Sequence, residues 1–349
     1  MLGAVSTWFR ERIPVQGDVL REMTNEPVPY HLKRWWFCLG GTPLYLFVVQ
    51  IATGILLAFY YQSSPTTAYE SVRYITDQVE YGWFIRSLHK WAATLMIATV
   101  VLHQMRVYFT GAYRKPREIN WIIGMILLLC TLTVGFTGYS LVYEQLSYWG
   151  ATVGANIADS VPYVGGFGKR MLLGGDAYND KTLSRLFILH AAVLPVTMVL
   201  LIGVHIVFIR LHGVTEFRFK DEGDKQKFFN FFPDHLYTEV IMGLILMIIL
   251  SALATILPAT LGPRADPLTT PEVIKPEWFF YMMFRWLKLF SGTAAVLSIG
   301  FIIFTMFTWP FIDALFRRFK RLQEASVWIG VCAVLLIVGL TVWEAAVVH

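Results

Sequence analysis

Seven apolar stretches of about 20 residues limit what this chain can fold into more than any other feature of its sequence. They run approximately Trp36–Tyr60, Trp83–Phe109, Ile119–Val142, Leu183–Leu211, Leu236–Ile256, Val296–Phe316 and Val327–Val348. At about 1.5 Å of rise per residue, each is long enough as a helix to cross the roughly 30 Å of a bilayer's hydrocarbon core. Composition agrees, because 56% of the 349 residues are hydrophobic and only 15% are charged, too little polar surface for a water-soluble globule. The predicted fold is all-α: a polytopic membrane protein with seven transmembrane helices. One clear shift in composition, the charged and Phe-rich Thr215–Asp234, divides it into a four-helix part (1–214), a cytoplasmic linker (215–235) and a three-helix part (236–349).

Seven spans put the termini on opposite sides, so the 29 Lys and Arg fall into two sets. The N-terminal segment and the loops after the second, fourth and sixth spans hold 18, including Arg114-Lys115-Pro116-Arg117 and Arg317-Arg318-Phe319-Lys320-Arg321. The opposite side holds 10, and Lys90 lies within a span. The positive-inside rule places the N-terminus in the cytoplasm, or the stroma of a plastid, with a bacterial cytoplasmic membrane the expected location. Arg10, Glu11, Arg12, Asp18, Arg21 and Glu22 read as an amphipathic lead-in, so the first helix is expected to insert and stay. The net charge of +5 follows from topology, and nothing points to nucleic acid as a partner. Cys38, Cys130 and Cys332 are far apart, which excludes a disulfide framework and a Cys-x-x-Cys metal site. A cofactor inside the membrane must therefore be held by histidine.

Four of the eight histidines, His31, His212, His235 and His349, fall in loops or at the termini; the other four fall inside spans. His89 and His103 are 14 apart on the second span, and His190 and His205 are 15 apart on the fourth. At about 100° per residue, 14 steps return to within about 40° of the start and 15 to within about 60°, after about 21–22 Å of rise. Each span thus shows two imidazoles on one face, near opposite membrane surfaces. The second and fourth spans run in the same direction, which pairs His89 with His190 near the outer surface and His103 with His205 near the cytoplasmic one. Two imidazoles on opposite sides of a planar macrocycle saturate its iron and favour one-electron transfer over oxygen chemistry. A lone intramembrane histidine reads better as helix-helix glue or a proton relay, but four at matched depths point to two haems b.

Glycines give an independent check, because a haem lying between helices needs close backbone approach. Gly40 and Gly54 on the first span are 14 apart, as are Gly124 and Gly138 on the third. Counted from the membrane surfaces, Gly54 and Gly138 lie near the depth of His89, and Gly40 and Gly124 near that of His103.

These residues resemble cytochrome b, the central subunit of the cytochrome bc and bf complexes, over nearly the whole chain. The chloroplast-type bf form looks closest: its haem histidines have the same 14 and 15 spacings. Its motifs resemble Phe37-Cys38-Leu39-Gly40-Gly41, Arg86-Ser87-Leu88-His89-Lys90-Trp91, Lys115-Pro116-Arg117-Glu118 and Thr137-Gly138-Tyr139-Ser140-Leu141. That family splits its cytochrome b into a four-helix and a three-helix chain, which the linker here fuses. The resemblance implies that Arg86 and Arg210 pair with haem propionates or a quinone headgroup, and that Cys38 binds a third, c-type haem through one thioether beside the cytoplasmic-side b haem.

Between the fifth and sixth spans lies Pro271-Glu272-Val273-Ile274-Lys275-Pro276-Glu277-Trp278-Phe279. Quinol oxidation sheds two protons and two electrons, so it needs a base near the headgroup in a mostly apolar pocket. Glu277 is the candidate, within a pocket that includes Pro276, Trp278, Phe279 and Tyr139. The family's motif is Pro-Glu-Trp-Tyr, so Phe279 departs from it by losing the phenol. Val142-Tyr143-Glu144-Gln145 likewise departs from Pro-Trp-Asp-Gln, and Tyr148 and Trp149 are further candidates for the pocket wall.

The resemblance implies a quinone cycle: quinol is oxidised outside, electrons cross through the two haems b to reduce quinone on the cytoplasmic side, and protons are translocated. No Cys/His cluster for an iron-sulfur centre and no Cys-x-x-Cys-His is present, so a Rieske iron-sulfur protein and a c-type cytochrome or plastocyanin-type acceptor must be separate partners, in an assembly expected to be a homodimer. A di-haem anchor passing electrons between quinone and a dehydrogenase shares the histidines but has no need of the Pro-Glu-Trp loop. A proton-relay transporter predicts no haem at all.

Overall fold

A computed structural model of the chain describes residues 27–29, 35–215, 228–290 and 292–347. The amphipathic lead-in from Arg10 to Glu22, His31, His349 and positions 216–227 of the linker lie outside the described residues. The helices are α1 (Gly41–Ala58), α2 (Ala68–Asp77), α3 (Gly82–Phe109), α4 (Glu118–Ser140), α5 (Gln145–Asp159), α6 (Gly165–Leu173), α7 (Asp180–His212), α8 (Leu236–Ile256), α9 (Tyr281–Leu289), α10 (Gly292–Phe316) and α11 (Ala325–Ala346). Seven of them, α1, α3, α4, α7, α8, α10 and α11, are long and apolar enough to cross a membrane. They fall on the seven apolar stretches of the sequence, and the chain is an all-α, integral, multi-pass membrane protein.

The first four spans pack as two pairs, α1 on α3 and α4 on α7, with α3 and α4 joining them. Their shared core contains Leu46, Phe47, Val49, Leu88, Ala92, Met96 and Met198, and α8 enters it through Leu250 and Ala254. A second core joins the two parts of the chain: Trp309 of α10 packs on Tyr113, Trp121, Met125 and Leu128. Beside it the buried Asp313 of α10 accepts hydrogen bonds from Arg114 Nε (2.8 Å) and from the hydroxyl of Ser326.

Other elements pin the loops. An antiparallel two-stranded ribbon, β1 (Pro27–Pro29) with β2 (Phe228–Asn230), joins the segment before α1 to the segment before α8, as two segments on one side of the membrane can. The loop after α8 is drawn onto the end of α3: Arg86 donates to the Ala259 and Thr260 carbonyls (2.7 and 2.9 Å), Trp91 Nε1 to Leu257 O (2.8 Å), and Ala259 N–H to Ser87 Oγ (2.9 Å). The surface helices α2, α5 and α6 are too polar or too short to span, and the search for apolar stretches does not reveal them.

Within α7, Leu189–Val193 forms a π-turn. Pro195 follows at the start of the regular helix; its missing N–H and its ring both disfavour an ordinary turn over residue 191, and a wider turn relieves the conflict. His190 sits inside this turn.

Candidate functional site

His89 of α3 and His190 of α7 face each other with ring centroids 6.2 Å apart. Metal-imidazole bonds are about 2 Å, so two imidazoles sharing one six-coordinate iron leave their ring centres roughly 6 Å apart. Their outward nitrogens are already committed. The Thr53 hydroxyl spends its single proton on Val49 O (2.6 Å), so its oxygen accepts from His89 Nδ1–H at 2.8 Å. The Val134 carbonyl can only accept, and does so from His190 Nδ1–H at 3.0 Å, with Thr137 Oγ1 at 3.2 Å. Both rings therefore keep Nε2 as the free lone pair, the tautomer a metal requires.

His103 and His205 are within electrostatic reach of one another at the other end of the same helices. Here the surroundings differ. Arg106, one turn from His103, donates to His103 Nδ1 at 3.1 Å, and since a guanidinium only donates, Nδ1 is the acceptor. Taking up a metal through Nε2 requires Arg106 to release that nitrogen. Nδ1 of His205 faces the Asn120 backbone without a bond of full geometry.

Each histidine is backed by one glycine of the neighbouring helix. A Cβ on Gly54 would lie 3.3 Å from His89 Cε1, on Gly138 2.6 Å from His190 Cε1, on Gly40 3.6 Å from His103 Cε1, and on Gly124 3.8 Å from His205 Cε1. The His89/His190 pair fits a planar, doubly ligated group, and the His103/His205 pair shares its glycine backing. The π-turn also accounts for the unequal spacing: one wide turn absorbs one residue, so 15 residues on α7 carry the second ring about as far around as 14 do on α3.

The loop between α8 and α9 meets α4 through two aromatic contacts. Phe279 lies against Gly135, with its ring 3.5 Å from where a Cβ would be, and Phe280 packs on Phe136 at 6.2 Å. Glu277 precedes the turn Trp278–Phe280 and is half-buried; among the described residues no hydrogen bond or ion pair holds its carboxylate. The hydroxyl of Tyr139 and the indole N–H of Trp149 are buried without a partner, and Glu144 and Glu277 lie within electrostatic range of that hydroxyl. Glu144 is already engaged, accepting Gly262 N–H at 2.6 Å and capping α5 with Ser147. Pro276 continues the loop, Trp278 is partly exposed, and burial lifts the phenols of Tyr61 and Tyr178 above their ordinary range.

The remaining sequence candidates are placed as follows. Arg86 donates to the Ala259 and Thr260 carbonyls, closing the loop after α8. Arg210 is exposed at the end of α7, within electrostatic reach of His235. Cys38 is buried beside Arg106 and the carboxyl of Glu239, and Glu239 also lies against Gly41. Arg106, Glu239 and Thr53 escape the sequence reading, and Thr137 enters it only as one residue of a motif. The two charged residues carry a signal, since an ionisable side chain in a span marks a site by default.

Two family models match the chain: "Cytochrome b/b6/petB" over residues 23–213 and "Cytochrome b(C-terminal)/b6/petD" over residues 264–348. A protein named cytochrome b6 from Heliomicrobium gestii is 45% identical over 209 residues, which is 60% of this chain and 98% of that one. A cytochrome bc complex cytochrome b subunit from Chlorobaculum thiosulfatiphilum is 36% identical over 317 residues, 89% of this chain and 74% of the other. A solved structure described as a hyperthermophilic respiratory Complex III contains a chain that superposes with a TM-score of 0.85 at 25% identity, covering 98% of this chain and 92% of that one. The fused arrangement read from the linker fits this pair of matches in one polypeptide. The chain belongs to the cytochrome b family, as the haem b-carrying cytochrome b subunit of a cytochrome bc-type oxidoreductase complex.

Proposed function

We propose that this subunit oxidises quinol in the outer pocket, carries electrons across the membrane between two histidine clamps, and delivers them to quinone on the cytoplasmic side, with proton translocation. The observation that carries the reading is the set of four intramembrane histidines, each backed by its own glycine, with the loop of the unpaired Glu277 meeting α4 at Gly135, one turn from the glycine behind His190. His89 with His190 and His103 with His205 would hold two haems b, which would supply one-electron transfer. Gly54, Gly138, Gly40 and Gly124 keep the backbone close, while Thr53, Val134 and Thr137 fix the outer imidazoles.

In the outer pocket Glu277 takes a proton from the quinol hydroxyl, and the unpartnered Tyr139 hydroxyl holds the headgroup. Phe279 and Phe280, packed on Gly135 and Phe136, exclude water there, and Pro276 and Trp278 shape the loop. The Tyr139 phenol offers the hydrogen bond that Phe279 lacks. One quinol electron leaves to a separate Rieske iron-sulfur protein and onward to a c-type cytochrome or plastocyanin-type acceptor. Arg210 and His212 lie at the surface where quinone is reduced, and Arg86 holds the outer loop. Cys38 would hold a third, c-type haem through a thioether; its buried thiol lies two residues before Gly40, which backs His103. Residues 1–214 form the di-haem part and 236–349 complete the quinol site. The assembly is a homodimer in a bacterial cytoplasmic membrane, with the N-terminus cytoplasmic.

The test is Glu277→Gln in membranes holding the assembled complex. Quinol oxidation is expected to fall by about 10²-fold, the usual share of a general base, with the haem spectrum unchanged. Full turnover in the variant overturns the role of Glu277.

A further inference from the structure

Glu344, near the end of α11, is fully buried, and nothing in the mechanism above uses it. Two cations of α9 reach its carboxylate: Lys288 Nζ at 3.1 Å from Oε1 and Arg285 at 3.5 Å from Oε2. The Arg285 guanidinium also lies 3.7 Å over the ring of Trp343, the neighbour of Glu344. A carboxylate this deeply buried survives only when paired, so these contacts tie α9 to the end of α11 strongly and at one register.

A second tie lies on the other side of the quinol loop. Lys275, two residues before Glu277, donates to the carbonyls of Glu344 (3.1 Å) and Val347 (2.6 Å). Helix-end carbonyls lack intrahelical partners and carry the negative end of the helix dipole, so an ammonium there is doubly favoured. Tyr281 stands within reach of both ties: Lys275 Nζ is 6.0 Å over its ring, and burial first, then the Glu277 and Glu344 carboxylates, push its phenol above its ordinary range. Pro276-Glu277-Trp278-Phe279 is therefore held at both flanks by one short segment of α11, while Glu277 itself carries no restraint of its own.

We infer that the end of α11, with Glu344 at its centre, is the positioning element of the quinol loop: Glu344 fixes α9 through Arg285 and Lys288, its carbonyl and that of Val347 fix Lys275, and Glu277 is thereby held at the headgroup. This rests on the reading of Glu277 as the base. Glu344 touches no substrate, and its removal acts on the geometry of the chemical step. Misplacing a reacting group by about 1 Å costs up to about 10²-fold in rate, whereas quinol binding, which depends on the apolar walls, changes little.

The experiment measures kcat and KM for decylubiquinol and for menadiol in membranes holding the assembled complex, with haem content read from the reduced-minus-oxidised spectrum. Glu344→Gln keeps shape and loses charge. It is expected to lower kcat about tenfold at unchanged KM and unchanged haem content, and Glu344→Asp is expected to recover most of the rate. Wild-type kcat in Glu344→Gln, or a raised KM at unchanged kcat, overturns the inference. If Glu344→Gln does not accumulate, Lys275→Met breaks the other tie with the buried carboxylate still paired, and the same kcat loss supports the inference while wild-type kcat overturns it. Glu277→Gln run in parallel separates the two claims: full activity there removes the base itself, whereas loss there with a wild-type Glu344→Gln removes only the positioning role.

Discussion

The imidazoles of His89 and His190 face each other at 6.2 Å between centroids, and each has its Nδ1 held by a neighbouring helix: His89 by Thr53 of α1, His190 by Val134 and Thr137 of α4. The pair is set by four helices at once. Two rings on facing helices need only packing to meet; two rings locked in the same tautomer with Nε2 free need the hydroxyls and the carbonyl as well.

Glycine substitution should grade with the space behind each ring. A Cβ on Gly138 meets His190 Cε1 at 2.6 Å, and that ring cannot retreat because Val134 and Thr137 hold it. Gly138→Ala is expected to lose the outer haem, halving b-type absorbance, whereas Gly124→Ala, with 3.8 Å to His205, keeps both. Pyridine haemochrome quantitation of the two purified variants reads the difference directly. Equal haem content would show that close approach at Gly138 is not required.

Thr53→Val removes the acceptor of His89 Nδ1–H and keeps the side chain's shape. Partners that orient a metal-bound histidine are worth roughly 10–100-fold in affinity. The variant should release the outer haem to an acceptor apoprotein at least about tenfold faster than the wild type, and release rates followed by absorbance would decide the matter.

Cys38→Ala should abolish haem-dependent peroxidase staining of the chain on denaturing gels while leaving the two extractable b haems in place. A stained band that persists in the variant would place any covalent haem elsewhere.

Asp313 joins the two parts of the chain through Arg114 and Ser326, and it is 1% exposed. Arg114→Ala leaves that carboxylate without its cation. Removing one partner of a buried pair costs about 3–5 kcal/mol, and the lower end applies because the Arg114 side chain is 39% exposed. Thermal unfolding of the detergent-solubilised chain should drop by several degrees, with Asp313→Asn losing less because it keeps a bond to Ser326. An unchanged midpoint in Arg114→Ala would mean that solvent already screens the pair.

The spans were legible because an uninterrupted apolar run has few other uses, and the four histidines because their spacing repeats. The 15-residue interval on α7 could be counted but not explained, since a π-turn that follows from Pro195 leaves no periodic mark. The bonds of Thr53 and Thr137 to the imidazoles are not legible for a related reason: a hydroxyl one helix away from an imidazole has no sequence spacing to betray it. The surface helices α5 and α6 escaped a search tuned to apolar length. Glu344 leaves no sequence signal of its burial, which its packing against Arg285 and Lys288 reveals. Arg86 enters the sequence reading only by resemblance, as a partner of a haem propionate or a quinone headgroup, and its bonds to the Ala259 and Thr260 carbonyls leave no mark in the sequence.

The central claim is that two histidine pairs clamp two haems inside this membrane bundle. The most direct measurement is a reduced-minus-oxidised spectrum of the purified chain with pyridine haemochrome quantitation, repeated for His89→Ala and His103→Ala. The account predicts two extractable b haems in the wild type and one in each variant, with distinct bands surviving in the two. A wild-type chain without b haem, or variants that retain both, would contradict it.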